Sequence, residues 1–343
     1  MPKAWGGRNR LSDNTFVARK VLVLLAVVAA AACGPRPTPR EAPGRPAAAV
    51  AVETIRVGIS VEGRRQIVVV PLEEYALASA LSEVAPPTGE NAVMARVYQV
   101  QAVLARTYAI AHVRRHAKEG FDLCDGTHCQ LVDLERPRRS RWANIARESV
   151  ERTRGQVLYH AGVPASTFFH ADCGGRRASA ADVWGGRELA YLRGGADPLP
   201  GHRTHQAWRF AVGREKLRAA LNATPRTAVG ARLETIDVQS RDQSGRARFL
   251  ILNGERAPLV RGEEFRAAVA GALGPRTIRS SSFEVRRAGS VFHFEGRGFG
   301  HGVGLCQLGA LARAEAGESA ERILSFYFPG TSLRVTKRTA KSR

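Results

Sequence analysis

Past residue 50 the apolar positions follow two periods. Residues 54–60 and 66–70 alternate or run β-branched, which predicts two strands. Pro71 breaks that pattern, and Leu72, Tyr75, Ala76, Ala80 and Leu81 then recur at helical spacing up to Pro86 and Pro87. A second helix is expected from near Glu90, after a Thr88 cap. Its buried stripe is Val93, Val97, Val100, Leu104, Tyr108 and Ala111, and it ends before Gly120. A loop over 124–130 follows, then a helix over 142–152 and strands over 156–159 and 166–170. Residues 172–200 are glycine-rich and irregular. Residues 207–292 alternate strands (235–238, 248–252, 283–286, 291–294) with helices over 214–221 and 262–273. A glycine-dense loop, 296–304, leads into a last amphipathic helix from Cys306. There is no internal repeat and no regular βαβ rhythm, so the pattern predicts an α+β fold rich in antiparallel sheet.

The N-terminus follows a different rule. Arg8, Arg10, Arg19 and Lys20 precede the apolar run 21–32, which meets Cys33 and Gly34. This is the layout of a secretory signal, and the run is shorter than the roughly 20 residues that span a bilayer. Residues 30–33, Ala-Ala-Ala-Cys, resemble a lipobox, with Ala where Leu is usual three places before the cysteine. Lipid attachment at Cys33 is predicted, the alternative being plain cleavage after an Ala-x-Ala site. Residues 34–50 carry Pro35, Pro37, Pro39, Pro43 and Pro46 and read as a semi-rigid tether. The chain thus divides into a leader (1–33), the tether, a folded region (51–335) and a basic tail (336–343). Within the folded region, motifs cluster over 66–160, and 207–292 reads as a subdomain. The expected location is the cell envelope or periplasm, by a membrane anchor.

The chain has 343 residues, 44% hydrophobic and 24% charged, a balance that favours a globular domain over disorder. Its formal net charge of +21 attracts polyanions: nucleic acid, anionic lipid or acidic wall polymers. A solvated arginine-rich surface accounts for the charge equally well. There is no basic helix interleaved with aromatics and no zinc-finger or RNA-binding signature. Together with the export signal, this argues against a nucleic-acid partner.

Three features could carry chemistry. Glu83 lies in the last turn of the helix that Pro86 terminates, among apolar neighbours Leu81, Val84 and Ala85. Burial and the negative end of the helix dipole would both raise its pKa, as a general acid requires near neutrality. Glu73 and Glu74, in the first turn of that helix, are ordinary N-terminal carboxylates. The loop 296–304 places glycine at every second position, so it lacks the Gly-x-Gly-x-x-Gly register of a dinucleotide site. It suits close approach to a ligand or to a neighbouring strand. Finally, Cys124, His128 and Cys129 follow His112 and His116, and two thiolates with imidazoles could hold zinc. Disulfides among Cys124, Cys129, Cys173 and Cys306 are equally compatible with an oxidising compartment.

Five stretches together resemble the SpoIID/LytB family (stage II sporulation protein D). They are Val70-Pro-Leu-Glu-Glu-Tyr75 with Ser82-Glu-Val-Ala-Pro86; Gln99 to Tyr108; Cys124-Asp-Gly-Thr-His-Cys-Gln130; Cys173-Gly-Gly with Asp182-Val-Trp-Gly-Gly186 and Tyr191-Leu192; and Gly298 to Gln307 with Tyr327-Phe-Pro-Gly330. The resemblance covers roughly residues 52 to 335. It implies a lytic transglycosylase that cleaves MurNAc–GlcNAc β-1,4 bonds of denuded peptidoglycan strands, with Glu83 as the catalytic glutamate and no cofactor needed for the chemistry. It also admits a non-catalytic enhancer of a cell-wall amidase. Arg106, Gln130, Asp182, Trp184, Gly185, His301 and Gln307 fall in the family's other motifs and are carried over as cleft residues; Arg106 and Trp184 fit a structural ion pair and core packing as well. His116, Cys124, His128 and Cys129 would form a structural zinc site. Cys173 and Cys306 stand where many relatives have a serine or other small residue, which suggests a disulfide between two motif loops or further metal ligands.

Overall fold

A computed structural model describes residues 52–336 apart from 85, 87 and 88. The leader, Cys33, the tether, the tail beyond Thr336 and the Thr88 cap lie outside the described residues. The fold is α+β. Its helices, in order, are α1 (Leu72–Glu83), α2 (Asn91–Ala111), α3 (Arg136–Arg139), α4 (Ala143–Arg152), α5 (Ala180–Trp184), α6 (Arg214–Asn222), α7 (Gly262–Leu273), α8 (Gln307–Glu315) and α9 (Ala320–Tyr327).

The sheets are small and mostly antiparallel. Thr54–Val61 pairs antiparallel with Arg64–Pro71 and parallel with Leu123–Cys124. Gln156–His160 lies between Ser332–Val335 and Val163–Pro164. Residues 207–292 carry two further three-stranded sheets, one over Leu233–Arg241, Ala247–Gly254 and Leu259–Arg261, the other over Phe283–Ala288, Val291–Arg297 and Ala207–Gly213. The strand Ala207–Gly213 is absent from the sequence reading, although Trp208, Phe210 and Val212 alternate with exposed or polar residues along it.

The buried residues explain the layout. Val97, Val100 and Leu104 of α2 pack with Leu81, Val150, Ile323 and Phe328, so α2 is the central helix of one core. Trp208, Leu250, Phe265, Phe283, Phe292 and Phe294 make a second core. Each fully buried leucine or phenylalanine contributes roughly 1.5–3 kcal/mol. A third cluster, with Ile55, Val57, Tyr75 and Phe121, fixes the first strand pair against α1.

Three expectations are corrected. Helix α2 stops at Ala111, with His112 as its cap, and a separate 3-10 turn covers Ala117–Glu119; His112 and His116 are therefore not neighbours on one helix. The strand over 166–170 shrinks to Phe169–His170, because the Ser166 N–H donates to the Tyr191 hydroxyl instead of to a ladder. The last helix is two, since Gly317, at φ 86°, follows the end of α8.

Candidate active site

Glu83 is the final residue of α1. Its helix starts at Leu72, directly after Pro71, and buries Tyr75, Ala76, Leu77 and Leu81, so the carboxylate at its end is fixed by packing on the turn before it. Oε1 accepts the Leu131 N–H at 2.8 Å. Burial pushes the carboxyl up to about 7, and the Leu131 N–H works against that rise.

Two cavities share Glu83. One, of about 630 Å³, is lined by Tyr108, Arg115, Phe168, Trp184, His301 and Arg266, among others. The other, of about 270 Å³, is more apolar, with Met94, Val97, Leu305 and Leu311 on its walls. Ala171, Phe299 and Gln307 line both. The acid therefore sits where an extended groove passes from a polar, aromatic half to an apolar half.

The glycine loop forms part of this groove by pressing on a neighbouring backbone. Phe299 and Asp172 exchange backbone hydrogen bonds of 2.7 and 3.0 Å. Gly304 has φ 73° and a Cβ there would overlap the Phe168 carbonyl; Gly302 has φ 84° and a Cβ would strike the buried Arg246 guanidinium. Only glycine fits at either place. The loop carries His301 into the groove, where its Nδ1 accepts the Val303 N–H at 3.0 Å. Burial lowers the His301 pKa to about 4, so the ring is neutral at pH 7.

Of the residues assigned to the cleft, Gln130, Trp184, His301 and Gln307 line the groove with Glu83. Gln130 accepts from the Tyr75 hydroxyl at 3.0 Å through Oε1, while its buried Nε2 has no partner. Gln307 opens α8 and aims Nε2 at the Glu83 carbonyl, 3.5 Å away. Trp184 is 42% exposed, with its ring 4.8 Å from Phe168 and 5.0 Å from His301 between centroids.

Three assigned residues do not line the groove. Arg106 is wholly buried and makes a bidentate pair with Glu73, at 2.9 and 2.6 Å, plus a bond to the Gln156 carbonyl at 3.0 Å. It is a structural ion pair, because every donor direction it uses points into the protein. Asp182 faces Arg248 at 3.2 Å, and Gly185 caps α5 against Arg261. Conversely, Tyr108, Arg115, Glu263 and Arg266 line the groove without having been assigned to it. Tyr108 carries the signal of a core stripe, and Glu263 and Arg266 pair with each other in a helix some 180 residues from Glu83, so no local pattern marks them.

His116, Cys124, His128 and Cys129 converge, with their ligand atoms within 4.8 Å of one another. Cys129 Sγ lies 3.4 Å from His116 Nε2 and 3.8 Å from His128 Nδ1, and Cys124 Sγ lies 3.8 Å from His128 Nδ1. Zinc bonds of about 2.0–2.3 Å in a tetrahedron give edges of roughly 3.3–3.8 Å, so the set fits that ion. Glu119 engages the other nitrogen of His116, the usual orienting contact for a ligand histidine. The four described cysteines are free thiols.

Residues 61–160 match a family model described as "Stage II sporulation protein", and residues 201–304 match one described as a domain of unknown function (DUF8618). An uncharacterized protein of Brachyspira hyodysenteriae is 28% identical over 268 residues, 76% of this chain and 66% of that protein, so the chain spans just under two thirds of it. Stage II sporulation protein D of Bacillus subtilis is 23% identical over 279 residues, 77% of this chain and 74% of that protein. An amidase enhancer of Bacillus subtilis is 46% identical over 61 residues, which is 18% of this chain and 9% of that protein.

Proposed function

We propose that this chain, a SpoIID-family protein of the SpoIID/LytB cell-wall type, is a peptidoglycan lytic transglycosylase with Glu83 as its single acid and base. The observation that carries this reading is the position of Glu83: half-buried, its carboxyl pushed up to about 7, on the wall of both cavities. Other carboxylates lining the two cavities have partners, Glu263 the Arg266 guanidinium and Asp172 the His205 ring, which is hydrogen-bonded to it.

One free carboxyl suffices for an intramolecular reaction. The Glu83 proton goes to the glycosidic oxygen as the bond to the anomeric carbon breaks. The 6-hydroxyl of the same sugar attacks that carbon, and the Glu83 carboxylate takes the hydroxyl proton. The product ends in a 1,6-anhydro ring, and the acid is regenerated. A hydrolase would need a second carboxylate to activate water or attack the sugar. Here the nucleophile is already on the same sugar, with the high effective molarity of an intramolecular group. Trp184 offers a ring face for stacking.

A structural zinc at His116, Cys124, His128 and Cys129 is part of this reading. When bound it would supply no chemistry, since four protein ligands leave no open position. The segment it would hold runs directly into Leu131, whose N–H meets Glu83. Export by the N-terminal leader and lipid attachment at Cys33 complete the proposal. Loss of acyl labelling in Cys33→Ser tests that part.

A second reading rests on the amidase-enhancer similarity over 61 residues: a wall-binding module that stimulates a separate amidase. Mass spectrometry of products from peptide-free glycan strands separates the two. Release of 1,6-anhydro fragments by wild type but not by Glu83→Gln is the expected result. Equal release by both proteins overturns the assignment, and absence of release by either, with stimulation of an added amidase by both, establishes the second reading.

A further inference from the structure

Cys173 and Cys306 take part neither in the groove chemistry nor in the cluster around Cys129. They are buried and lie 133 residues apart in sequence. The parallel pairing of Leu305–Cys306 with Phe169–His170 sets Cys306 opposite His170, and Cys173 follows three residues later. A ring nitrogen of His170 and the two sulfurs all lie within 4.8 Å of one another.

Backbone donors reach both sulfurs, although Cys306, burial and the Asp197 carboxylate push the Cys173 thiol well up, so without a metal it stays protonated. Cys306 Sγ accepts the N–H of Cys173 at 3.3 Å and of Gly309 at 3.4 Å, at the N-terminus of α8. Cys173 Sγ accepts the Gly175 N–H at 3.4 Å. Backbone N–H groups and a helix N-terminus both stabilise a thiolate. His170 places Nδ1 3.1 Å from the Val303 carbonyl, so that nitrogen carries the proton and Nε2 keeps a lone pair. That Nε2 is buried without a partner. The fully buried Asp197 carboxylate accepts the Cys173 S–H at 3.4 Å, as well as Tyr327 and Arg313.

We propose that His170, Cys173 and Cys306 form a second metal site for a zinc-like divalent cation. Two thiolates and an imidazole match the ligand preference of that ion. Binding releases the two thiol protons to solvent and changes no oxidation state. A disulfide would use the sulfurs but leave the His170 lone pair buried without a partner. The site would clamp the Cys-Gly-Gly loop to the start of α8. It would thereby fix Ala171 and Gln307, which line both halves of the groove.

The test uses the full chain, loaded with zinc sulfate, desalted, and measured by native mass spectrometry and elemental analysis. Cys124→Ser/Cys129→Ser, which removes two ligands of the other cluster, is expected to keep one zinc per chain. Adding Cys173→Ser and Cys306→Ser should abolish that zinc. No zinc in the first variant overturns the proposal, as does a non-reduced peptide linking Cys173 to Cys306. Should the variant not fold, cobalt titration of wild type beside Cys173→Ser/Cys306→Ser decides: one equivalent fewer in the variant, with loss of thiolate charge-transfer absorption, supports the site, and equal uptake rejects it.

Discussion

The Glu83 carboxyl receives the Leu131 N–H at 2.8 Å from a loop 48 residues away. That bond favours the carboxylate, yet burial outweighs it and leaves the pKa at about 7. The acid is thus about half protonated at neutral pH. A rate set by proton donation to the leaving oxygen should then fall close to tenfold per pH unit well above 7. Initial rates on peptide-free strands from about pH 5 to 9 check this. A basic limb centred near 4.5 would show that the carboxyl behaves as a solvated glutamate.

The same shift makes Glu83 a stability cost. Its folded pKa is raised from 4.5 to about 7, so the folded state resists losing a proton that the unfolded chain gives up near 4.5. Wild type should therefore lose stability as pH climbs from 4.5 through 7, by at most about 3 kcal/mol, and level off above. Glu83→Gln keeps an oxygen for the Leu131 N–H and has no charge to bury. It should melt with wild type near pH 4 and at higher temperature than wild type at pH 8. Calorimetry at the two pH values tests this; equal melting at pH 8 would argue that water reaches the carboxyl freely. The measurement also shows that lost turnover in this variant is not lost folding.

The part of the site that lies within one helix was legible in the sequence. Glu83 stands at the end of a periodic apolar run closed by Pro86, and both its burial and its elevated pKa follow from that placement. Gln130, Trp184, His301 and Gln307 belong to separate loops, and only the family resemblance gathered them; their convergence depends on tertiary contacts such as the Phe299–Asp172 backbone pair. Arg106 shows the limit of motif reasoning. It lies between Leu104 and Tyr108, residues of the buried stripe of α2, and its partner Glu73 is 33 residues away on α1, so its place in a motif did not reveal which way the guanidinium points. Glu263 and Arg266 were invisible because α7 reaches the groove through packing of the second core, which no local periodicity encodes.

The Arg106–Glu73 pair gives a prediction of a different kind. Arg106 is 0% exposed, and removing it strands the Glu73 carboxylate, which is only 19% exposed. Breaking a buried pair from one side costs about 3–5 kcal/mol. Arg106→Ala should unfold at clearly lower denaturant concentration than wild type. At low temperature, where enough protein stays folded, its KM for glycan should be unchanged. A raised KM with unaltered stability would return Arg106 to the cleft.

Trp184 carries the sharpest prediction about substrate. Its ring is 42% exposed on the groove wall, braced by Phe168 and His301, and α5 is held in place by the Ser179 cap, whose hydroxyl accepts the Ala181 N–H at 3.1 Å. A core tryptophan would be hidden; this one presents a face at the groove. Stacking of this kind is worth about 0.5–1.5 kcal/mol, or roughly a 2- to 12-fold change in affinity. Trp184 has no group that can exchange a proton with the glycosidic oxygen. Trp184→Ala should therefore raise KM within that range and leave kcat nearly unchanged, the pattern of a lost uniform binding contact. Trp184→Phe, which keeps an aromatic face, should recover most of the affinity. A fall in kcat with constant KM would instead mean that the ring acts by shaping the transition state around Glu83.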